Sequence, residues 1–147
     1  MEPEKSGEGW IVVEGGAEGF AQDIQAGVHR LRADEPVSVG GTATGSTPYD
    51  LLLAALGSCT SMTVSLYARR KQWPLEHVTV RLHHSKVHAQ DCVECETSER
   101  KLDRIEIEIE LTGQLTADQR DRLLAIAGRC PVHLTLTSAI EIRTTLI

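Results

Sequence analysis

Two cysteines lie in sequence contexts that could support redox chemistry. Cys59 follows the apolar run Thr47-Pro-Tyr-Asp-Leu-Leu-Leu-Ala-Ala-Leu-Gly-Ser, and Cys130 stands in Gly-Arg-Cys130-Pro-Val-His133. A thiol reacts as its thiolate, so each cysteine needs a nearby cation, a helix amino end or a hydrogen-bond donor. The alternative is that both are inert core residues, because free cysteine is among the most buried residue types.

The two cysteines differ in the help that a helix can give them. Cys59 lies twelve residues beyond Thr47, about 18 Å along a helix, whereas the effect of the helix dipole fades within the first turn. Cys130 could itself cap a short helix that Pro131 begins. The cations that could serve Cys59 are Arg30, Arg32, Arg129 and His133.

A third group of residues has a spacing suited to metal binding. His88 precedes Cys92 and Cys95 in the run His88-Ala-Gln-Asp-Cys-Val-Glu-Cys95. Zinc prefers four ligands from Cys and His, so these three are candidate zinc ligands. The same pair of cysteines could form a redox dithiol, or could be incidental residues in a loop that joins two strands. The sequence leaves these three interpretations open.

The spacing of apolar residues changes along the chain between the period of a helix and that of a strand. The order of the resulting elements predicts an α+β fold in a single domain over residues 1–147. Residues 1–46 are predicted to form a small antiparallel meander followed by a loop. Residues 47–147 are predicted to form a helix, a strand pair, a second helix and a closing strand. The predicted strands of the meander are Trp10–Val13, Phe20–Ala26 and Val28–Ala33, and the later elements are a helix from Pro48 to about Gln72, a helix from Thr116 to about Arg129, and a closing strand at Ile140, Ile142 and Thr144.

Side-chain patterns define the faces of these elements. Thr47 with Asp50 and Thr116 with Gln119 form capping-box patterns at the starts of the two helices. The first helix is apolar on nearly every face, so we expect it to be buried. The second helix is predicted to bury the stripe Leu123, Leu124, Ile126 and Ala127. The alternating residues Glu106, Glu108 and Glu110 are expected to form a solvated strand face opposite Arg81 and His83.

Composition limits the range of functions. A net charge of -6 and the absence of a basic run argue against a nucleic-acid partner. No uninterrupted apolar stretch approaches the roughly 20 residues that span a bilayer, and the acidic start lacks the pattern of a signal peptide. We therefore expect a cytoplasmic protein without a membrane partner, whose four cysteines are kept reduced, bind metal or cycle.

The helix that carries Cys59, the strand pair after it, and the run Arg129-Cys-Pro-Val-His133 resemble the OsmC/Ohr family, from about Phe20 to the carboxyl end. The resemblance implies antiparallel sheets around two long central helices, in an intertwined homodimer with active sites at the subunit interface. It also implies a thiol-dependent peroxidase that reduces organic hydroperoxides with a dithiol reductant and requires no cofactor. By this resemblance, Cys59 is the peroxidatic cysteine and Cys130 the resolving cysteine.

The sequence departs from the peroxidase pattern at the start of the first helix. The peroxidase members carry a glutamate directly after the proline, paired with an arginine that activates the thiolate. Here that place is Tyr49 and the carboxylate follows as Asp50, which could be catalytic or only a capping residue. Arg30 and Arg32 are both candidates for the arginine. The alternatives to a peroxidase are a noncatalytic protein that binds an apolar small molecule, and a protein with a zinc-binding loop at His88, Cys92 and Cys95.

Overall fold

The computed structural model of the chain describes residues 9–88 and 101–147, and its fold is α+β. The chain divides into two compact units, Met1–Leu52 and Leu53–Ile147. The first unit contains the strands β1 (Ile11–Gly15), β2 (Gln22–Ala26) and β3 (His29–Ala33) and a short 3-10 helix at Val37–Val39. The helix α1 (Pro48–Arg70) begins in the first unit and continues into the second. The second unit also contains β4 (Leu75–His88), β5 (Lys101–Gly113), α2 (Ala117–Ala127) and α3 (Pro131–Leu136).

The meander predicted for the amino-terminal segment is confirmed. Strands β1, β2 and β3 form an antiparallel sheet in sequence order, with Val13 opposite Ile24 and Ile24 opposite Leu31. Gly27 adopts a φ of 61° in the tight turn between β2 and β3, which glycine does at low cost.

The loop after β3 is organised by a buried carboxylate that the sequence did not indicate. Asp34 is 2% exposed. It accepts hydrogen bonds from the backbone N–H groups of Glu35, Thr42 and Thr44 and from both threonine hydroxyls. The hydrogen bond from the Thr42 hydroxyl, followed by those from Thr44, holds the pKa of the Asp34 carboxyl far below its usual value. Asp34 therefore ties the loop over residues 42–44 to the end of β3.

Helix α1 begins with the predicted capping box. The Thr47 hydroxyl accepts from the Asp50 N–H and the Asp50 carboxylate accepts from the Thr47 N–H, each at 3.1 Å. The prediction that nearly every face of α1 is buried is wrong for the single chain, because Met62 is 71% exposed. Burial follows one stripe with a spacing near four residues, formed by Leu56, Gly57, Thr60, Val64 and Ala68.

Among the residues that the structure describes, α1 is also the one helix long and apolar enough to cross a membrane, over Pro48–Lys71 with a mean hydropathy of 1.5. The core helix of a globular domain meets the same criterion. In α1, the stripe of buried residues includes Val64 and Ala68, which pack against Leu123 and Ala127 of α2.

The strand pair is confirmed as an antiparallel hairpin of β4 and β5, with Val80 opposite Ile109 and Leu82 opposite Ile107. The three glutamates of β5 lie exposed on its other face, as expected. The Arg81 guanidinium contacts the Glu110 carboxylate at 3.1 Å. The apolar residues of the hairpin are only half-buried in the single chain.

The core of the second unit joins α1, α2 and the hairpin. Its buried residues are Val64, Ala68, Leu123 and Ala127. The capping box predicted for α2 is present, since the Thr116 hydroxyl accepts from the Gln119 N–H and the Gln119 side chain accepts from the Thr116 N–H. Leu124 departs from the predicted stripe, with 63% exposure. A shift of one residue turns a side chain by about 100° around a helix, which carries Leu124 away from the face of Leu123.

The predicted closing strand at Ile140, Ile142 and Thr144 is wrong. Residues 139–147 form no regular element in the structure, and Ile142 is 83% exposed. The alternation of apolar residues is present, but a strand also requires the backbone of a neighbouring strand. Within the described residues no strand edge pairs with this segment.

Candidate active site

Cys59 lies on the face of α1 that its own unit leaves uncovered. Its thiol is free and partly exposed. Ala55 precedes Cys59 by four residues, and Met62 and Leu66 follow it by three and seven, so they share its side of the helix. Met62 and Leu66 are 71% and 41% exposed. Cys59 is therefore part of an exposed apolar stripe formed by Ala55, Cys59, Met62 and Leu66.

Cys130 lies in the opposite kind of environment. It is fully buried, its thiol is free, and it caps α3, an arrangement that the sequence allowed but did not require. The Cys130 sulfur accepts a hydrogen bond from the His133 backbone N–H at 3.3 Å, and Pro131 occupies the start of the helix. The position before Pro131 thus gives Cys130 a donor suited to a developing negative charge on sulfur.

Thr60 joins the two cysteine-bearing segments, and sequence reasoning did not identify it. Thr60 is 1% exposed, and its Oγ1 lies 3.7 Å from Cys130 Sγ. The same hydroxyl donates to the Leu56 carbonyl oxygen at 2.8 Å. Because Thr60 follows Cys59 directly, this contact brings the amino end of α3 against the turn of α1 that carries Cys59. A hydroxyl next to a cysteine is too common in sequences to have indicated the contact.

A cleft of about 230 Å³ lies beside these residues in the second unit. Its apolar lining is formed by Leu56, Ile105, Ile107 and Leu136, and its polar lining by Asp103, His133 and Thr137. The Asp103 carboxylate contacts His84 Nε2 at 2.8 Å and Lys86 Nζ at 3.5 Å. The His84 contact is the main reason that the pKa of the Asp103 carboxyl lies below its usual value. The cleft thus combines apolar walls with a charged rim.

The other predicted catalytic residues lie in the first unit. Arg30 and Arg32 are exposed residues of β3, opposite Gln25 and Asp23 of β2. Because they are two residues apart on the strand, both lie on one of its faces. Asp50 belongs to the capping box of α1. The roles of these three residues in catalysis stay predictions.

The candidate zinc ligands fall largely beyond the described part of the chain. Cys92 and Cys95 lie outside residues 9–88 and 101–147, and the structure does not describe the side chain of His88. Within those two ranges, no group of three or more His, Cys, Asp or Glu residues is arranged to hold a metal ion. The zinc hypothesis stays a prediction.

Comparison with known proteins identifies a sequence family. Residues 41–145 match the family model described as OsmC-like protein. No match was found among curated protein sequences.

Three solved structures share the fold. An organic hydroperoxide resistance protein OsmC from Legionella pneumophila is 19% identical over 87% of this chain and 88% of that chain, with a TM-score of 0.62. An OsmC-like protein from Mycoplasma pneumoniae is 18% identical over 86% and 84%, with a TM-score of 0.62. An organic hydroperoxide resistance protein from Elizabethkingia anophelis is 16% identical over 89% of each chain, also with a TM-score of 0.62. At these identities, the likeness shows the fold.

Proposed function

The chain belongs to the OsmC-like protein family, and we propose that it is a thiol-dependent peroxidase that reduces organic hydroperoxides through Cys59 and Cys130. The observation that carries this proposal is the contact between Thr60 Oγ1 and Cys130 Sγ, because Thr60 is the neighbour of Cys59 in α1. The names of the similar proteins from L. pneumophila and E. anophelis, both organic hydroperoxide resistance proteins, support the choice of substrate.

The proposed reaction uses the two sulfurs in turn. The Cys59 thiolate attacks one peroxide oxygen, the O–O bond breaks, and the alcohol leaves after taking a proton, which leaves a sulfenic acid on Cys59. The Cys130 thiolate then attacks the Cys59 sulfur, an S–S bond forms, and water leaves. A dithiol reductant returns both cysteines to thiols by exchange and is itself oxidised to a disulfide. The cycle requires no cofactor.

The difference in exposure supports this assignment of roles. A peroxidatic sulfur must meet a substrate from solution, and the Cys59 thiol is partly exposed. A resolving sulfur meets only the sulfenic acid of its own protein, and Cys130 is fully buried. The reverse assignment would require the hydroperoxide to reach a sulfur with no exposed surface.

We propose that an arginine of β3 supplies the cation that activates the Cys59 thiolate. Arg30 and Arg32 are both exposed, and no hydrogen bond or ion pair of either guanidinium occurs among the described residues. Asp50 is a weaker candidate for a catalytic role, because its carboxylate accepts the Thr47 N–H in the capping box. Replacing each arginine by alanine should slow the reaction of Cys59 with the hydroperoxide for one variant and leave it unchanged for the other.

We further propose that the active protein is a cytoplasmic homodimer. The stripe formed by Ala55, Cys59, Met62 and Leu66 has the three- and four-residue spacing of a helix seam, and it has no cover in the single chain. A second copy of α1 that packs on Met62 and Leu66 would cover the most exposed part of this stripe and leave Cys59 at the edge of the interface, open to substrate. It would be the second long central helix that the family resemblance implies. The exposed alternating residues Ile140 and Ile142 are suited to pairing with a strand of that copy. Light scattering on the purified protein should give twice the mass of one chain.

The test of the peroxidase is turnover with tert-butyl hydroperoxide and dithiothreitol. Cys59→Ser should abolish consumption of the hydroperoxide, and Cys130→Ser should stop formation of the disulfide. Ser58→Ala is the matched control, because Ser58 is the exposed neighbour of Cys59 and its hydroxyl contacts only the Ala55 carbonyl in the described structure. Wild-type activity in Cys59→Ser would contradict the proposal.

The cleft favours a second candidate function, the noncatalytic binding of an apolar small molecule. Its walls contain four aliphatic side chains, and its volume of about 230 Å³ suits a molecule smaller than most drug-sized ligands. Hexanol is a suitable probe. If the cleft binds an alkyl chain, hexanol should raise the unfolding temperature of the wild type but not that of Ile107→Asp. If the cleft has no such role, hexanol should raise the unfolding temperature of neither protein.

The third candidate is a structural zinc site at His88, Cys92 and Cys95, and it can coexist with the peroxidase. The spacing of these residues is its sole support. Metal analysis of the purified protein should give one zinc per chain, and Cys92→Ser should lose it. A wild-type protein free of zinc after growth with added zinc would end this proposal.

A further inference from the structure

The surroundings of the Cys130 sulfur contain two hydrogen-bonding groups. The His133 backbone N–H donates to Cys130 Sγ at 3.3 Å, and Thr60 Oγ1 lies 3.7 Å away. Cys130 has no exposed surface, and Thr60 is 1% exposed, so water does not compete for either group. A charge that forms on this sulfur must be stabilised by these protein groups.

The Thr60 hydroxyl has a single proton, and this determines which group donates in its contact with Cys130. A hydroxyl has one proton, and that of Thr60 goes to the Leu56 carbonyl at 2.8 Å. With Cys130 as a neutral thiol, the S–H can therefore donate to Thr60 Oγ1, which keeps a free lone pair. When Cys130 loses its proton, the contact persists only if the Thr60 hydroxyl turns from the Leu56 carbonyl toward the sulfur.

We propose that Thr60 is a positioning residue of the redox cycle, and that its hydroxyl turns from Leu56 to Cys130 whenever Cys130 is a thiolate. The inference rests on the proposed function, because it assigns Cys130 the roles of resolving thiolate and leaving group. The Leu56 carbonyl keeps the backbone hydrogen bond from the amide four residues later in α1, so the hydroxyl can leave it at low cost.

The direction of reduction follows from the same environment. A thiolate of the reductant attacks Cys59 Sγ, because this sulfur is partly exposed and Cys130 is fully buried. A bond forms between the reductant sulfur and Cys59, the bond from Cys59 to Cys130 breaks, and the electron pair moves to Cys130. The second thiol of the reductant then displaces Cys59 from the mixed disulfide and forms the oxidised dithiol.

Thr60 should affect this step because thiol exchange depends on the leaving sulfur. A sulfur that leaves as a stabilised anion leaves faster, and hydrogen bonds to a charged group are about twice as strong as neutral ones. The His133 N–H is one such donor, and Thr60 is the second. The initial reaction of Cys59 with a hydroperoxide does not involve Cys130 and should not depend on this hydroxyl.

The experiment compares Thr60→Val, Thr60→Ser and Thr63→Val with the wild type. Valine keeps the shape of threonine without its hydroxyl, serine keeps the hydroxyl, and Thr63 is on the same helix without a hydrogen bond to Cys130 in the described structure. The disulfide is formed with diamide, so that the test does not depend on peroxidase activity. Its reduction by dithiothreitol is followed by acid quenching and peptide mapping of Cys59 and Cys130, because diamide can also couple Cys92 to Cys95.

The disulfide of Thr60→Val should be reduced by dithiothreitol about tenfold more slowly than that of the wild type, because the variant lacks one hydrogen bond to the charged sulfur. Thr60→Ser should stay within about twofold of the wild type, and Thr63→Val should match it. The rate at which hydroperoxide oxidises Cys59 should be equal in all four proteins. Equal reduction rates for Thr60→Val and the wild type, or no disulfide in diamide-treated wild type, would overturn the proposal.

Glutathione identifies the sulfur that is attacked, because this monothiol stays bound to that cysteine as a mixed disulfide. Oxidised protein is treated briefly with glutathione, quenched in acid and mapped by peptide mass spectrometry. The proposal predicts glutathione on Cys59, and glutathione on Cys130 would overturn it. A protein that passes these tests but does not react with hydroperoxide would disprove the peroxidase and leave the role of Thr60 in place.

Discussion

The position of α1 on the hairpin depends on a close approach at Gly57, two residues before Cys59. A Cβ atom at Gly57 would lie 2.6 Å from Leu82 Cδ1 of β4, closer than two carbon atoms can approach. Replacing glycine by alanine inside a helix favours folding by about 1 kcal/mol, whereas overpacking of a core contact costs about 1–3 kcal/mol. We therefore expect Gly57→Ala to lower the free energy of unfolding by up to about 2 kcal/mol.

A double-mutant cycle with Leu82→Ala isolates this contact. Removing the Leu82 side chain eliminates the clash, so in that background Gly57→Ala should raise the free energy of unfolding by about 1 kcal/mol. The coupling between the two positions should then be about 1–3 kcal/mol, measured by urea unfolding of the four proteins. A stabilising Gly57→Ala of equal size in both backgrounds would refute the packing of α1 on β4 at this position.

Three further predictions concern stability. Leu123→Ala removes a fully buried side chain from the core and should cost about 3–5 kcal/mol in urea unfolding, whereas the exposed Leu124→Ala should cost less than about 0.5 kcal/mol. The carboxyl of Asp34 has a folded-state pKa below its unfolded value, so it contributes stability above about pH 4 that is lost as the pH falls. Asp34→Asn should therefore destabilise the protein at pH 7. Between pH 4 and pH 2, its free energy of unfolding should fall less than that of the wild type, and equal acid-unfolding profiles for the two proteins would contradict this. Cys130→Ala should be about 1 kcal/mol less stable than Cys130→Ser, because serine can still cap α3, and an equal or more stable alanine variant would refute the cap.

Local patterns predicted the elements well where the signal lies within a few residues. The capping boxes of Thr47 with Asp50 and of Thr116 with Gln119 marked the starts of both main helices. The alternation in β4 and β5 predicted the hairpin and its solvated glutamates. Pro131 indicated that a short helix could begin there with Cys130 as its cap, which the structure shows. In each of these cases, the interacting groups are neighbours along the chain or follow a simple period.

Predictions that depended on a distant partner were the ones that failed or were missing. The alternation at Ile140 and Ile142 suggests a strand, but the single chain provides no strand for it to pair with. The apolar composition of α1 suggested full burial, but an apolar face is buried only where another surface covers it. The contact of Thr60 with Cys130 joins residues 70 positions apart, and no period or spacing encodes it.

The most direct test of the proposed function is the fate of the two cysteines after one equivalent of an organic hydroperoxide. The reduced protein is treated with tert-butyl hydroperoxide, free thiols are trapped, and the cysteines are mapped by peptide mass spectrometry. The proposal predicts a disulfide between Cys59 and Cys130 and loss of the peroxide. Two free thiols in the presence of unreacted peroxide would contradict it.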